Sequence, residues 1–589
     1  MTHEHIARKC ILAMFLNNNG AEIPMRLLSG TVDYSSRVVA KRVEGRVQSR
    51  KTSEQGSIEA PRTSTAEGTH YYAFKGIPFA EPPVGDLRFK SPMPPGPWSG
   101  VRNGSAPSPI CPQIDILSYM TGSLQVLGNE DCLYLDVYVP EKNASNFPVM
   151  VWIHGGAFLF GSASDFNPAP LMTEDVVVVM IQYRIGALGF LSTEDSVMSG
   201  NYGLKDQVMA LRWVQDNIQS FGGDPSRVTL FGESAGGMSA HYLMLSPMSK
   251  GLFHRAIAQS GTAVLPVLWN DDPRQHAASL GQMLDCPEVN PKNLDSEALK
   301  DCLKKVSAEK LVMAIKAFST FLDSPRVIRP TVDGEFLPEH PAKMLRKGNY
   351  HRVNFMTGIT RDEGAFIVRR LLMSESMKEE LAANFSALGP ALLNIAAGLN
   401  SSPEYMAKRM FAHYVGEFNV TEENADGVVK LFTDYWFAVP MDIAGKMHAR
   451  DADYGQKTFL YELHYTGEFS VFDSPNITVG KKWVSHIDDL QYLFSSPLLP
   501  PLTRPTDLFM QEIMVSLWTN FARTGNPTPD MSLGFKWLPA SGCTPKYLIL
   551  QPSPYMKKFS RDKELEFMTN LPLDHNMILY PERFTIEEN

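Results

Sequence analysis

The 589-residue chain is poor in cysteine, with six in all, and no two of them form a close CxxC pair. The count excludes a disulfide scaffold, and the spacing argues against a thiolate zinc site. It also lacks an excess of basic residues: 55 Lys and Arg against 64 Asp and Glu leave a net charge of −9. Such a chain has no electrostatic reason to bind nucleic acid or an anionic membrane. No apolar run approaches the roughly 18 residues that a spanning helix needs, so no membrane span is expected. No internal repeat and no low-complexity block is present. The closing Thr585–Asn589 carries no retention tetrapeptide and no hydrophobic anchor tail. What remains is a globular balance, 44% hydrophobic and 20% charged, which rules out a disordered or collagen-like chain.

The N-terminal 70 residues are polar and basic. Residues 1–27 read as a leader or degenerate signal segment: Cys10–Leu16 is a short apolar run after Arg8 and Lys9, without a good small-x-small cleavage site. Edge strands joined by a flexible loop are expected next, across a Ser/Thr/Lys/Arg-rich stretch from Gly45 to Thr65. Gly76–Gly85, dense in Pro and Gly, must be extended. Residues 28–589 are expected to form one domain. Its middle reads as α/β. Pro148–Ile153 and Val176–Ile181 are unbroken apolar runs, the mark of parallel strands covered on both faces. Leu204, Val208, Leu211, Val214 and Ile218 recur at helical spacing, which predicts a helix over 204–220, stopped by Phe221–Pro225. A short strand, Val228–Gly232, precedes a helix from Ala235 to Leu245. Residues 270–450 read as helical insertions over one end of the sheet. Short strands return at Asn354–Gly358 and Thr458–Tyr461, and a helix near Glu512–Arg523 precedes a hairpin-like stretch near Tyr547–Leu550.

The chemistry centres on Gly232-Glu-Ser-Ala-Gly236, a G-x-S-x-G pattern set between a buried strand and a helix. At such a corner the neighbours must be small so that the chain can pass close by. The serine is lifted clear of the sheet, and the helix aims its N-terminal N–H groups at the same point. Ser234 is therefore the candidate nucleophile. Trp152-Ile-His-Gly-Gly-Ala-Phe158 supplies small residues able to turn backbone N–H groups toward an oxyanion. The candidate donors are Gly156, Ala157 and Ala235; losing one such donor typically costs about 100- to 1000-fold in rate. A serine nucleophile also needs a base and an orienting acid. Pattern alone offers Asp362 or Glu363 as the acid, and His448, His464 or His486 as the base. No metal or organic cofactor is needed for this chemistry. The close cysteine pairs, Cys111 with Cys132 and Cys286 with Cys302, suit local disulfides worth roughly 3 kcal/mol each, or equally buried free thiols.

Several long motifs in order resemble the type-B carboxylesterase family, the cholinesterase-like branch of the α/β-hydrolases. They are Phe74–Phe89, Glu130-Asp-Cys-Leu-Tyr-Leu135, Gly200–Gln207, Phe221–Pro225 and Phe231–Gly237. The resemblance spans about residues 35–575. It implies an α/β-hydrolase fold: a large, mostly parallel sheet flanked by helices, with helical insertions covering an active-site gorge. It also implies Glu363 as the acid and His486 as the base, with Ser260 and Glu233 in support. The disulfides Cys111–Cys132 and Cys286–Cys302 and the ion pairs Arg88–Glu130 and Arg184–Asp206 are implied in the same way. Cys10 and Cys543 have no family partner.

The implied activity is hydrolysis of carboxylic esters to an alcohol and a carboxylate through an acyl-enzyme, as in arthropod general carboxylesterases, xenobiotic or lipid-like esters among the substrates. The partner is thus a small-molecule ester. Departures from the family narrow the choice. Choline-binding members carry a tryptophan in the first disulfide loop; here Tyr119 is its only aromatic residue, which disfavours cholinesterase activity. Juvenile-hormone esterases usually have Gln where this chain has Glu233. Many members have Gly at Ala157; the N–H survives, but a tighter pocket is expected. A hormone esterase or lipase of the same family is the alternative reading. A non-catalytic adhesion protein of this fold is the remote one, since every triad position is filled. Six sequons, Asn103, Asn143, Asn384, Asn400, Asn419 and Asn476, together with the paired cysteines, point to secretion into an oxidising compartment. Nothing in the sequence sets the oligomeric state.

Overall fold

The computed structural model describes residues 48–115, 124–266, 269, 272–287, 289–322, 324–395, 402–452, 455–473, 479–497, 499–541, 545–558 and 561–584. The leader, Cys10, Tyr119, Asn400, Asn476 and Cys543 lie outside the described residues. The strands are β1 (Gln48–Thr52), β2 (Ser57–Ser64), β3 (His70–Pro78), β4 (Val101–Asn103), β5 (Gln113–Ile114), β6 (Val126–Leu127), β7 (Tyr134–Pro140) and β8 (Phe147–Ile153). They continue as β9 (Val177–Ile181), β10 (Gly223–Glu233), β11 (Arg255–Gln259), β12 (Asn354–Thr360), β13 (Thr458–Leu463), β14 (Lys546–Leu550) and β15 (Tyr555–Lys558).

Thirteen of them form one sheet, ordered β1-β2-β3-β7-β9-β8-β10-β11-β12-β13-β14-β15, with β4 beside β2. From β9 to β14 every neighbouring pair is parallel; the pairs at either end are antiparallel, apart from β4, which runs parallel to β2. Alternation along the strands divides the core in two. Val149, Val151 and Ile153 of β8 face one apolar layer, with Val177, Val179 and Ile181 of β9. Met150 and Trp152 face the other, with Met514, Leu517 and Trp518 of the helix Pro505–Thr524. Both faces are therefore covered, which is why these strands read as unbroken apolar runs.

Several boundaries differ from the sequence reading. β1 and β2 meet through a tight turn, in which the Ser53 N–H donates to the Gly56 carbonyl at 2.9 Å, instead of a flexible loop. The helix expected over 204–220 covers Tyr202–Asn217 and tightens to a 3₁₀ turn, Ile218–Phe221. β10 starts at Gly223, five residues earlier than its apolar run, because Gly223 already pairs with Phe147 of β8, ahead of an irregularity after which regular register begins at Val228. The C-terminal helix is longer than its apolar spacing implies, since Pro505 is well placed in its first turn. The Tyr547–Leu550 stretch is the first arm of the β14–β15 hairpin.

Cys111–Cys132 and Cys286–Cys302 are both disulfide-bonded. Arg184 grips Asp206 through Nε (2.8 Å) and Nη2 (2.7 Å), both side chains buried. Arg88 pairs with Glu130 and also donates to the carbonyls of Leu303, Lys304 and Val306, which pins the end of the second disulfide loop. Among the described residues no helix is long and apolar enough to cross a membrane.

Candidate active site

The site lies at the carboxyl ends of the parallel strands. Register places Ile153 of β8 opposite Gly232 of β10, Glu233 opposite Gln259 of β11, and Gln259 opposite Gly358 of β12. The loops after β8, β10, β11 and β12 therefore leave the sheet along one edge.

Ser234 sits between β10 and the helix Ala235–Leu245, with φ +57° and ψ −122°. No L-residue adopts that backbone without strain; the Ser234 N–H to the Gln259 carbonyl (2.8 Å) and the Met238 N–H to the Ser234 carbonyl (2.9 Å) hold it. The flanking glycines are needed sterically. A Cβ on Gly232 would stand 2.6 Å from the Ile153 carbonyl, and one on Gly236 would overlap that same oxygen. β8 and the helix start can approach only because both side chains are absent.

The His486 Nδ1 lies 2.6 Å from Glu363 Oε2. The other carboxylate oxygen of Glu363 accepts from Ser260 Oγ at 2.5 Å and from the Thr360 N–H at 2.8 Å. The carboxylate is fully buried and its orientation is fixed from three sides. The imidazole Nε2 lies 3.1 Å from Oε1 of Glu233, the residue that precedes Ser234, an ion-pair distance without hydrogen-bond alignment. Burial alone would lower the His486 pKa; Glu233 and Glu363 outweigh it and raise the value to about 9. Glu233 is pushed up to about 8 by burial, against the pull of His486. Imidazole and carboxyl thus compete for one proton and titrate as a pair.

The sequence alternatives fall elsewhere. Asp362 accepts from Arg361 and from the Val484 N–H, tying the acid loop to the histidine loop. His448 bonds His241 in the interior, and His464 pairs with Glu462.

After β8 the chain turns through three residues with positive φ: Gly156 (+101°), Ala157 (+55°) and Phe158 (+61°). Among the described residues the N–H groups of Gly156, Ala157 and Ala235 have no acceptor. Donors held ready and unpaired at the mouth of a strained serine suit an incoming oxyanion. No cluster of His, Cys, Asp or Glu able to hold a metal occurs among the described residues.

Sequence reasoning missed three supports. The Phe437 ring lies tilted against His486 with ring centroids 4.8 Å apart, and Phe366 lies at 5.2 Å. Phe437 belongs to a π-helical turn, Thr433–Ala438, whose first residue accepts the Gly364 N–H beside the acid. Beneath the site Trp518 donates to Gln259, which donates to Asp489 at 2.7 Å. Asp489 stood in the histidine motif, so its position was visible although its partners were not. Of the sequons, Asn103, Asn143 and Asn384 are exposed, and Asn419 is half-buried.

The carboxylesterase family model matches residues 47–568. Juvenile hormone esterase of Tribolium castaneum is 38% identical over 82% of this chain and 84% of its own length. Pyrethroid hydrolase Ces2a of Mus musculus is 37% identical, covering 86% of this chain and 88% of its own. Carboxylesterase 1E of the same species is 36% identical, with 85% and 89% covered. A match of this extent, over a sheet flanked by helices on both faces with a serine at its strand–helix corner, shows that the chain belongs to the carboxylesterase family, on the α/β-hydrolase fold.

Proposed function

We propose that residues 28–589 form a single hydrolase domain that cleaves uncharged carboxylic esters. Ser234 Oγ attacks the ester carbonyl while the Nε2 of His486 takes its proton. Glu363 holds the imidazole and stabilises its charged form. The N–H groups of Gly156, Ala157 and Ala235 bind the tetrahedral oxyanion. Collapse of that intermediate expels the alcohol, protonated by His486, and leaves an acyl-serine. Water, deprotonated by His486, then releases the carboxylate and restores the serine. The observation that carries this reading is the buried chain Ser260–Glu363–His486, whose Nε2 end lies 3.1 Å from Glu233, the residue directly before the strained Ser234.

The rings of Phe366 and Phe437 give the imidazole an apolar, aromatic wall. They support esters of the general carboxylesterase kind, as does the similarity to a pyrethroid hydrolase. A hormone-esterase reading is favoured by the similarity to the Tribolium enzyme and opposed by Glu233. A panel of nitrophenyl esters of increasing acyl length tests the substrate class. Short and medium chains should be cleaved fastest; a rate rising only with long chains would favour a lipase, and no turnover of any would defeat the reading. Secretion is supported by the two disulfides and the exposed sequons. An unchanged mass after enzymatic deglycosylation would count against glycosylation at the sequons and weaken that assignment.

A further inference from the structure

The loop that carries Gly156 and Ala157 is anchored upstream by β8, and downstream it depends on a glutamine from a distant part of the chain. Gly161, where the loop ends, receives Gln113 on both of its backbone groups. Its N–H donates to Gln113 Oε1 at 2.7 Å, and its carbonyl accepts from Gln113 Nε2 at 3.0 Å. The same Nε2 reaches the Cys111 carbonyl at 3.1 Å. Gln113 is buried, lies in β5, and stands two residues from the Cys111–Cys132 disulfide. A single amide thus joins the first disulfide loop to the oxyanion loop in the manner of a strand pair.

Other contacts show how closely the loop follows Gly161. A Cβ there would stand 2.6 Å from the Gly155 carbonyl and 2.7 Å from His154 Nδ1. The N–H groups of Leu159 and Phe160 both bond the Gly156 carbonyl, at 2.9 and 3.1 Å. A shift at Gly161 is therefore passed directly to Gly156. Among the described residues Gly161 has no other hydrogen-bond partner. Oxyanion stabilisation falls steeply with sub-ångström errors in donor position.

We propose that Gln113 is a positioning residue for the oxyanion hole, through which the Cys111–Cys132 loop sets the alignment of the Gly156 and Ala157 N–H groups. This rests on the ester-hydrolase reading. Gln113 touches no reacting atom; its effect belongs to the transition state and leaves substrate binding unaltered.

The test compares wild type with Gln113→Ala, Gln113→Asn and Gln113→Glu on a short nitrophenyl ester and on a trifluoromethyl ketone. In the ketone adduct the Ser234 Oγ–C bond forms, the carbonyl π pair becomes an alkoxide on oxygen, and the serine proton passes to His486. That alkoxide occupies the oxyanion hole without turnover. For Gln113→Ala, kcat is expected to fall about 10- to 100-fold, with KM within threefold. The ketone inhibition constant should rise by the same factor as kcat/KM falls, across the series. Gln113→Glu, which sets a carboxylate oxygen against the Gly161 and Cys111 carbonyls, should lose at least as much, whereas Gln113→Asn, which keeps the amide on a shorter side chain, should lose less and provides a readable variant where the alanine fails to fold. A variant with wild-type melting temperature and kcat within twofold of wild type would overturn the proposal. So would a fall in kcat with an unchanged ketone constant. A wild type that neither turns over esters nor binds the ketone would defeat the ester reading itself.

Discussion

At the scale of single residues, the account turns on how two buried carboxyl groups flank one imidazole. Glu363 meets Nδ1 and fixes the ring; Glu233 lies near Nε2 and raises its proton affinity. Replacing Glu233 with Gln removes a negative charge and keeps the shape. The acidic limb of kcat/KM, which reports the loss of neutral His486, should then move to lower pH by roughly half a unit or more. A limb that stays in place, or moves up, would show that Glu233 carries no charge during turnover. Asp362 shows how far pattern alone can go. It precedes Glu363 in the same motif, yet its carboxylate bonds the Val484 N–H, and only the family resemblance separated the two in advance.

At the scale of elements, the helix that follows Ser234 is tied to the helix that follows the π-helical turn by two buried histidines. The Ala263 N–H donates to His241 Nδ1, so the His241 proton is on Nε2 and points at His448 Nε2, 2.9 Å away. Both rings are neutral, and burial holds His448 at about 3. Its folded-state value lies below the unfolded value of about 6.5. Its contribution is therefore full above that pH and is lost as pH falls toward 3. His448→Phe, packed against Tyr350 and Phe355, should remove about 1.4 kcal/mol per pH unit from the acid dependence of stability in that window. Denaturant melts at pH 7, 6 and 5 would check it. Equal slopes in wild type and variant would mean that His448 is protonated in the folded state. The strands and the elbow were legible in the sequence because unbroken β-branched runs and a G-x-S-x-G corner are local signals. The π-helical turn was not. An inserted residue shifts helical spacing without changing composition, so nothing in the chain announced that Phe437 faces His486. Gln113 was hidden for another reason: its partner lies 48 residues away and is a backbone, which leaves no mark on side-chain pattern.

At the scale of the molecule, one sheet brings together residues that the chain separates by more than 250 positions. The segments proposed as oxyanion loop, nucleophile, acid and base leave it along the carboxyl edge of the parallel strands, while the helical stretch between 365 and 450 brings Phe366 and Phe437 to His486. The two disulfides staple loops at sequence separations of 21 and 16, each worth about 3 kcal/mol in the loop-entropy model, and the first connects through Gln113 to the oxyanion loop. On the proposed reading, all of this architecture serves a single nucleophilic oxygen, Ser234 Oγ. Titration with an organophosphate, followed by mass mapping of the modified residue, tests that claim most directly. One phosphoryl group per chain on Ser234, with ester turnover lost in proportion to labelling, is the result expected. Label on another residue, or turnover that persists with Ser234 fully modified, would contradict the account.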